Sequence, residues 1–246
     1  MTNELYVTRP QVYARLGGVL YLAVILFGAF SEGYAMDTLI VPADAGATAH
    51  NILASRGLWS LAVAADLVIP VIAVVGVWIS YELLRPVSKT LVLLDVFLSL
   101  VSLAVEAVSK LFLLLVLPIL STANDLVEHR QLELIANLAL KAHGITFDIT
   151  LIFFGCACLV EGYLLYKSGY FPKFIGVLLQ IAGGCYLVSC FAELFAPAVA
   201  DLLTPAILLP PLLGELSYCL WLLIKGVDLD KWNERTGAAT AKPAVG

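Results

Sequence analysis

Six long apolar runs, at about 15–35, 58–83, 91–119, 136–166, 172–195 and 202–224, govern what this chain can fold into. About 20 apolar residues cross the roughly 30 Å hydrocarbon core of a bilayer as one α-helix. Each run is therefore expected to be a transmembrane helix, and the chain an all-α, polytopic helical bundle of about six spans. Composition agrees: 61% of the 246 residues are hydrophobic and 13% charged, against roughly 45–50% apolar and about 25% charged in ordinary soluble domains. A water-soluble monomer is excluded, and no length is left for a separate soluble domain. Arg15 ahead of the first run resembles a signal peptide. Glu4 and Pro10 before it, and a Ser31-Glu32-Gly33-Tyr34 stretch without a small-x-small cleavage pattern, favour a retained helix.

Basic residues orient the spans, because positively charged loops stay cytoplasmic. Ten fall on one side: Arg9, Arg15, Arg85, Lys89, Lys167, Lys173, Lys225, Lys231, Arg235 and Lys242. Three fall on the other, Arg56, Arg130 and Lys141, while Lys110 lies inside the third run. Both termini are thus expected in the cytoplasm. Residues 1–14 form a cytoplasmic N-terminal segment, 15–226 the transmembrane domain and 227–246 a cytoplasmic, mostly disordered tail, since nothing after Trp232 shows periodicity. The opposite side carries the long loops, 36–57 and 120–135. In the first of these, Asp44 ahead of an Ala-rich stretch predicts an N-capped short helix at the membrane surface.

A net charge of −5 is the reverse of the basic footprint of nucleic-acid binders, so no nucleic-acid partner is expected. All five cysteines lie in apolar runs, where a thiol behaves as a small hydrophobe. Cys156 and Cys158 sit about 200° apart around a helix and do not converge on a metal. No phosphate-cradling loop, nucleophile elbow, zinc helix or pair of membrane histidines for haem is present. No metal and no cofactor are expected.

Several stretches look familiar: Ala14-Arg15-Leu16-Gly17-Gly18, Ile40-Val41-Pro42-Ala43-Asp44, Asn51-Ile52-Leu53-Ala54, Leu83-Leu84-Arg85-Pro86-Val87, Ser168-Gly169-Tyr170-Phe171-Pro172 and Gly214-Glu215-Leu216. Through them the chain resembles the bacterial membrane-protein family known as domain-of-unknown-function family 4386, over all but the first eight residues and the tail. The resemblance implies a multi-pass protein of the bacterial inner membrane. It implies no chemistry, so any site has to be read from the residues.

Ionisable groups inside spans are costly, with central Asp, Lys or Arg near +2.5–3.5 kcal/mol on insertion scales, so they face the bundle interior and mark function or paired structure. The third run carries Asp95, Ser99, Ser102, Glu106 and Ser109 at spacings of four, three, four and three, one polar stripe expected to turn inward. Lys110 follows Glu106 by four, the favourable order for an ion pair. The fourth run places Asn137, Lys141, Gly144, Asp148, Gly155 and Gly162 on one face. Its glycines predict close helix packing, and Asp148 needs a partner or a proton at that depth. His143 is the single histidine in a predicted span. In the second run Pro70 frees the carbonyl of Asp66. In the sixth, Pro210-Pro211 predicts a mid-span break exposing the Ala206 and Ile207 carbonyls beside Glu215, a site for a proton or for a cation such as Lys110.

Three functions fit. The first is a binder or carrier of a small or lipid-like molecule, open to proton linkage, with Asp66, Glu106, Lys110, Asp148 and Glu215 lining a central, buried polar pocket; the expected partners are the lipid bilayer and a small hydrophobic or amphipathic ligand. The second is an intramembrane acid-base enzyme acting on a lipid or isoprenoid, with His143, Asp148 and Glu215 as candidate catalytic groups. The third is an accessory or assembly protein whose polar core is purely structural. Nothing in the spacing selects a reaction or an oligomeric state.

Overall fold

The structure, a computed structural model, describes residue 7 and residues 9–122, 128–203 and 206–237. Every regular element among the described residues is helical. Six of them are long and apolar enough to cross a membrane: α1 (Pro10–Leu39), α3 (Arg56–Leu84), α4 (Lys89–Ser121), α5 (His129–Ser168), α6 (Lys173–Phe195) and α8, which is Leu209–Ile224 preceded by a 3-10 turn at Ala206–Leu208. Three short helices complete the chain, α2 (Ala45–Ala54), α7 (Pro197–Leu203) and α9 (Leu229–Thr236). The chain divides into two compact units, the first made of 1–22, 74–101 and 151–246, the second of 23–73 and 102–150. Four of the long helices, α1, α3, α4 and α5, contribute residues to both.

The expected helices are found, with three corrections. α5 begins at His129, so much of the loop placed at 120–135 is helix, and residues 123–127 lie outside the described part. Pro210 and Pro211 do not break a helix at mid-span. They sit in the first turn of α8, where a missing N–H removes no intrahelical bond. The tail opens with helix α9, which continues past Trp232 to Thr236. The disorder expected beyond Gly237 lies outside the described residues. The surface helix α2 starts where its cap predicted, with Ala47 N–H donating to Asp44 Oδ1 at 2.9 Å.

Glycine decides how α5 meets α6 in the first unit. Gly162 faces Gly176, and Gly155 faces Gly183. A Cβ on Gly176 would lie 2.5 Å from the Gly162 carbonyl oxygen and 2.7 Å from the Tyr166 nitrogen, distances at which backbone must move. Gly144, the third glycine of the predicted stripe, meets nothing, because it lies on an exposed face of α5. The first unit's core otherwise gathers Ile79, Leu83, Leu164, Ile175, Leu222 and Trp232. The second unit has its own core around Ile52, Trp59, Val63, Leu113 and Val116.

Basic turns expected on one side of the membrane meet at one end of the first unit. The turn after α5 is held by Gly169 at a φ of 81°, by Phe171 N–H donating to Ser168 Oγ, and by Tyr170 Oη–H donating to the Leu83 carbonyl at 2.6 Å. On that turn rests α9, whose Trp232 is 1% exposed and stacks edge-on against Tyr170. Arg235 donates to the carbonyls of Pro86, Lys167 and Ser168. Gln11, at the start of α1, bridges the turn after α8 by donating to the Lys225 carbonyl and accepting from Val227 N–H.

Asp228 caps α9, accepting from Lys231 N–H and pairing with Lys231 Nζ at 2.9 Å. The Lys231 side chain first, and its N–H second, hold the Asp228 carboxyl below its usual range. A depressed carboxyl stabilises the fold above its unfolded value, about 3.9, and loses that contribution as pH falls through the folded value. The melting difference between wild type and Asp228→Asn should therefore be present at neutral pH, begin to shrink below about pH 4 and vanish only once pH has fallen below the depressed folded value. A difference that grew on acidification would contradict the cap. For the helix interface, Gly176→Ala should destabilise by about 1–3 kcal/mol through overpacking. Gly144→Ala should be neutral or stabilising by about 1 kcal/mol through helix propensity. Thermal melting in one detergent compares the two directly.

Candidate functional site

The second unit buries a lysine. Lys110 is 0% exposed on α4, and its ammonium lies 2.7 Å from Asp66 Oδ2, 3.6 Å from Glu32 Oε1 and 3.9 Å from Glu106 Oε1. The Phe147 ring of α5 covers it, 4.7 Å from Nζ to centroid, a distance at which the ring's quadrupole attracts a cation. The stripe of α4 turns inward as its spacing predicts: Asp95, Ser102, Glu106 and Ser109 are buried and Ser99 is half-buried. Asp66 is brought in by α3, one turn ahead of Pro70, and also accepts from Ser31 Oγ at 3.1 Å. The intrahelical Glu106–Lys110 pair exists, but the tight partner of Lys110 is Asp66, from another helix.

Glu32 enters through a change of helix type. Residues Ser31–Met36 of α1 form a π-helical turn, a feature frequent at functional sites. Its side chain remains 35% exposed while reaching Lys110 and His143. His143, on α5 and buried, has Nδ1 3.2 Å from the Ser109 carbonyl oxygen and Nε2 3.3 Å from Glu32 Oε1. A carbonyl only accepts, so Nδ1 carries a hydrogen and donates. Nε2 is thereby turned toward Glu32 Oε1, where a second ring hydrogen or a protonated Glu32 would complete a hydrogen bond.

Charge counting extends this. Three carboxyls, Glu32, Asp66 and Glu106, meet one lysine and one histidine. With every carboxyl ionised and both Lys110 and His143 charged, the sum would be one net negative charge, so acids outnumber bases in the cluster. One helical turn from Lys110, between α3 and α4, Trp59, Val63, Leu67, Leu113, Leu117 and Pro118 line an apolar hollow of about 220 Å³.

Of the residues singled out in the sequence, Asp66, Glu106, Lys110 and His143 come together here. Asp148 is half-buried on α5, while the ion pairs of Lys110 go to Glu32, Asp66 and Glu106. Glu215 belongs to the first unit, where Tyr186 donates to it, while Lys110, the cation offered as an example of its partner, pairs in the second unit. Glu32 escaped the sequence reading as a site residue. The available signal was that it is the one acidic residue of the first apolar run.

Six helices long and apolar enough to cross a membrane, three of which carry buried ionisable groups, define a multi-pass membrane protein. The chain belongs to the family described as Domain of unknown function (DUF4386), whose model matches residues 16–226. It is similar to a protein of Archaeoglobus fulgidus named "Uncharacterized protein", 34% identical over 96 residues. The match covers 37% of this chain and 56% of that protein, so the chain spans little more than half the length of that relative. No solved structure matches the chain.

Removing one member of a buried ion pair strands the other and costs about 3–5 kcal/mol, while removing both costs much less. Lys110→Met should therefore lower folding yield and melting temperature strongly, and Lys110→Met with Asp66→Asn should recover part of the loss. The recovery should be smaller with Glu106→Gln, whose oxygen is farther away. Additive effects of the Lys110 and Asp66 changes would contradict the pairing.

Proposed function

We propose that this protein binds or carries a small or lipid-like molecule in a proton-linked manner, with the Lys110-centred cluster as its polar site. The reading rests on the Glu32–His143 contact. A proton there would sit on Glu32, whose side chain is 35% exposed while the Oε1 that meets both His143 and Lys110 is buried, and would link the outside to a lysine sealed from solvent. A purely structural pair needs no such link to the outside. The surplus carboxyl charge favours a head group that donates hydrogen bonds or carries positive charge, and the adjacent hollow suits an alkyl chain. Asp148, on the same helix as His143, and Glu215, in the first unit, are accessory to this scheme. The ten-to-three distribution of basic residues supports an inner-membrane protein with both termini in the cytoplasm.

A bound cation and a proton compete for the same carboxyl charge, so a cationic amphipath should bind more tightly at mildly alkaline than at mildly acidic pH. Dodecylamine and dodecanol titrated into the protein in nanodiscs, followed by fluorescence of Trp59 in a variant lacking Trp78, Trp221 and Trp232, test this. The amine should show the pH dependence in the wild-type cluster and lose it in Glu32→Gln and His143→Gln, and the alcohol should not show it. Equal, pH-independent binding of both probes in all variants would leave the cluster a structural device. Reporter fusions placing residues 50 and 235 on the same side of the membrane would overturn the orientation.

A further inference from the structure

The first unit contains a second polar cluster, and it is built differently. Asp95 of α4 is 3% exposed, and its Oδ1 has no hydrogen-bond partner among the described residues. It lies within electrostatic range of Glu161 on α5. Glu161 is well supplied with donors: Ser80 of α3 donates to its Oε1, and Tyr218 of α8 donates to the same oxygen at 3.3 Å. Tyr218 and Cys158 also sense Asp95. Beyond Glu161 stand Glu215, Tyr186 of α6 and Tyr21 of α1, the two tyrosines directed at Glu215. No lysine, arginine or histidine is among the described groups acting on Asp95, Glu161 or Glu215.

Two neighbouring carboxyls without a base cannot both be ionised in a water-poor interior, because each charge lacks a counterion and repels the other. The donors decide which one keeps the negative charge. Glu161 receives two O–H bonds, the arrangement that suits an anion, whereas Asp95 receives none at Oδ1. A buried carboxylate oxygen without a donor carries its whole desolvation penalty, and a hydrogen on that carboxyl removes it. We propose that Asp95 and Glu161 form a carboxyl pair that binds a single exchangeable proton, carried by Asp95 while Glu161 is ionised. A proton needs no cavity, in keeping with the tight burial of Asp95, Cys158 and Tyr218. The proposal uses residues of the first unit only and does not depend on the reading of the Lys110 cluster.

Infrared difference spectroscopy of the full-length protein in lipid vesicles reads the proton directly, since a protonated carboxyl has a carbonyl stretch that a carboxylate lacks. At neutral pH the wild type should show this band. It should disappear in Asp95→Asn and remain in Glu32→Gln, which separates it from any proton held beside His143. A band unchanged in Asp95→Asn, or no band in the wild type, would overturn the assignment. In case Asp95→Asn fails to fold, dicyclohexylcarbodiimide, which reacts with protonated carboxyls, gives a second measurement on the wild type. Peptide mapping should find Asp95 modified, with modification lost on raising pH and unchanged when sodium chloride replaces choline chloride. Protection by sodium at constant pH would refute proton binding in favour of a sodium site, and modification confined to other carboxyls would refute the pair.

Discussion

A lysine ammonium sealed from water requires an anion beside it, and much of the second unit serves that requirement. Asp66 meets Lys110 at 2.7 Å, Glu106 and Glu32 complete its surroundings, and the Phe147 ring covers the remaining side. These groups come from α1, α3, α4 and α5. Satisfying one charge therefore brings four helices to a common point, and the π-helical turn at Ser31–Met36 is where α1 delivers Glu32 to it. Isolated apolar helices in lipid gain little from hydrophobic association, so polar contacts of this kind and close glycine packing set which helices pair.

The two units solve the problem of buried acids by different means. The second supplies bases, Lys110 and His143. The first supplies hydroxyls from Ser80, Tyr186 and Tyr218 and no base among the described groups acting on its acids. Hydroxyls stabilise a carboxylate by donating but cannot neutralise it, whereas an ammonium does both. The first solution leaves an oxygen of Asp95 without a donor, and the second sets three carboxyls against one lysine and one histidine. In both, acids outnumber the bases that meet them.

At the other end of the first unit the constraint is ordinary packing. Trp232, Tyr170 and Phe171 bury the turn after α5, and Arg235 satisfies three carbonyls that end helices or turns. The membership in a family of unknown function spans residues 16–226. The docked part of α9, including Trp232, lies beyond that match and still contributes to the unit's core.

Six helices, their approximate limits and the inward face of α4 were legible in the chain because bilayer solvation acts on each segment separately. A run of some 20 apolar residues has one low-energy structure in lipid, and a stripe spaced by threes and fours can turn only one way. The Asp44 cap was legible for the same local reason. What required the tertiary structure was partnership across helices: Lys110 lies four residues from Glu106 in sequence yet binds Asp66 most closely, and Glu32 finds His143 across more than a hundred residues. The Pro210-Pro211 pair was misread because a proline says where an N–H is missing, while the start of the helix decides whether that absence costs anything. The sequence alone gives no reason to relate Asp95 of the α4 stripe to Glu161. Only the three-dimensional arrangement shows that one is surrounded by donors and the other has an oxygen without one, because a hydrogen bond depends on where neighbouring helices place their hydroxyls.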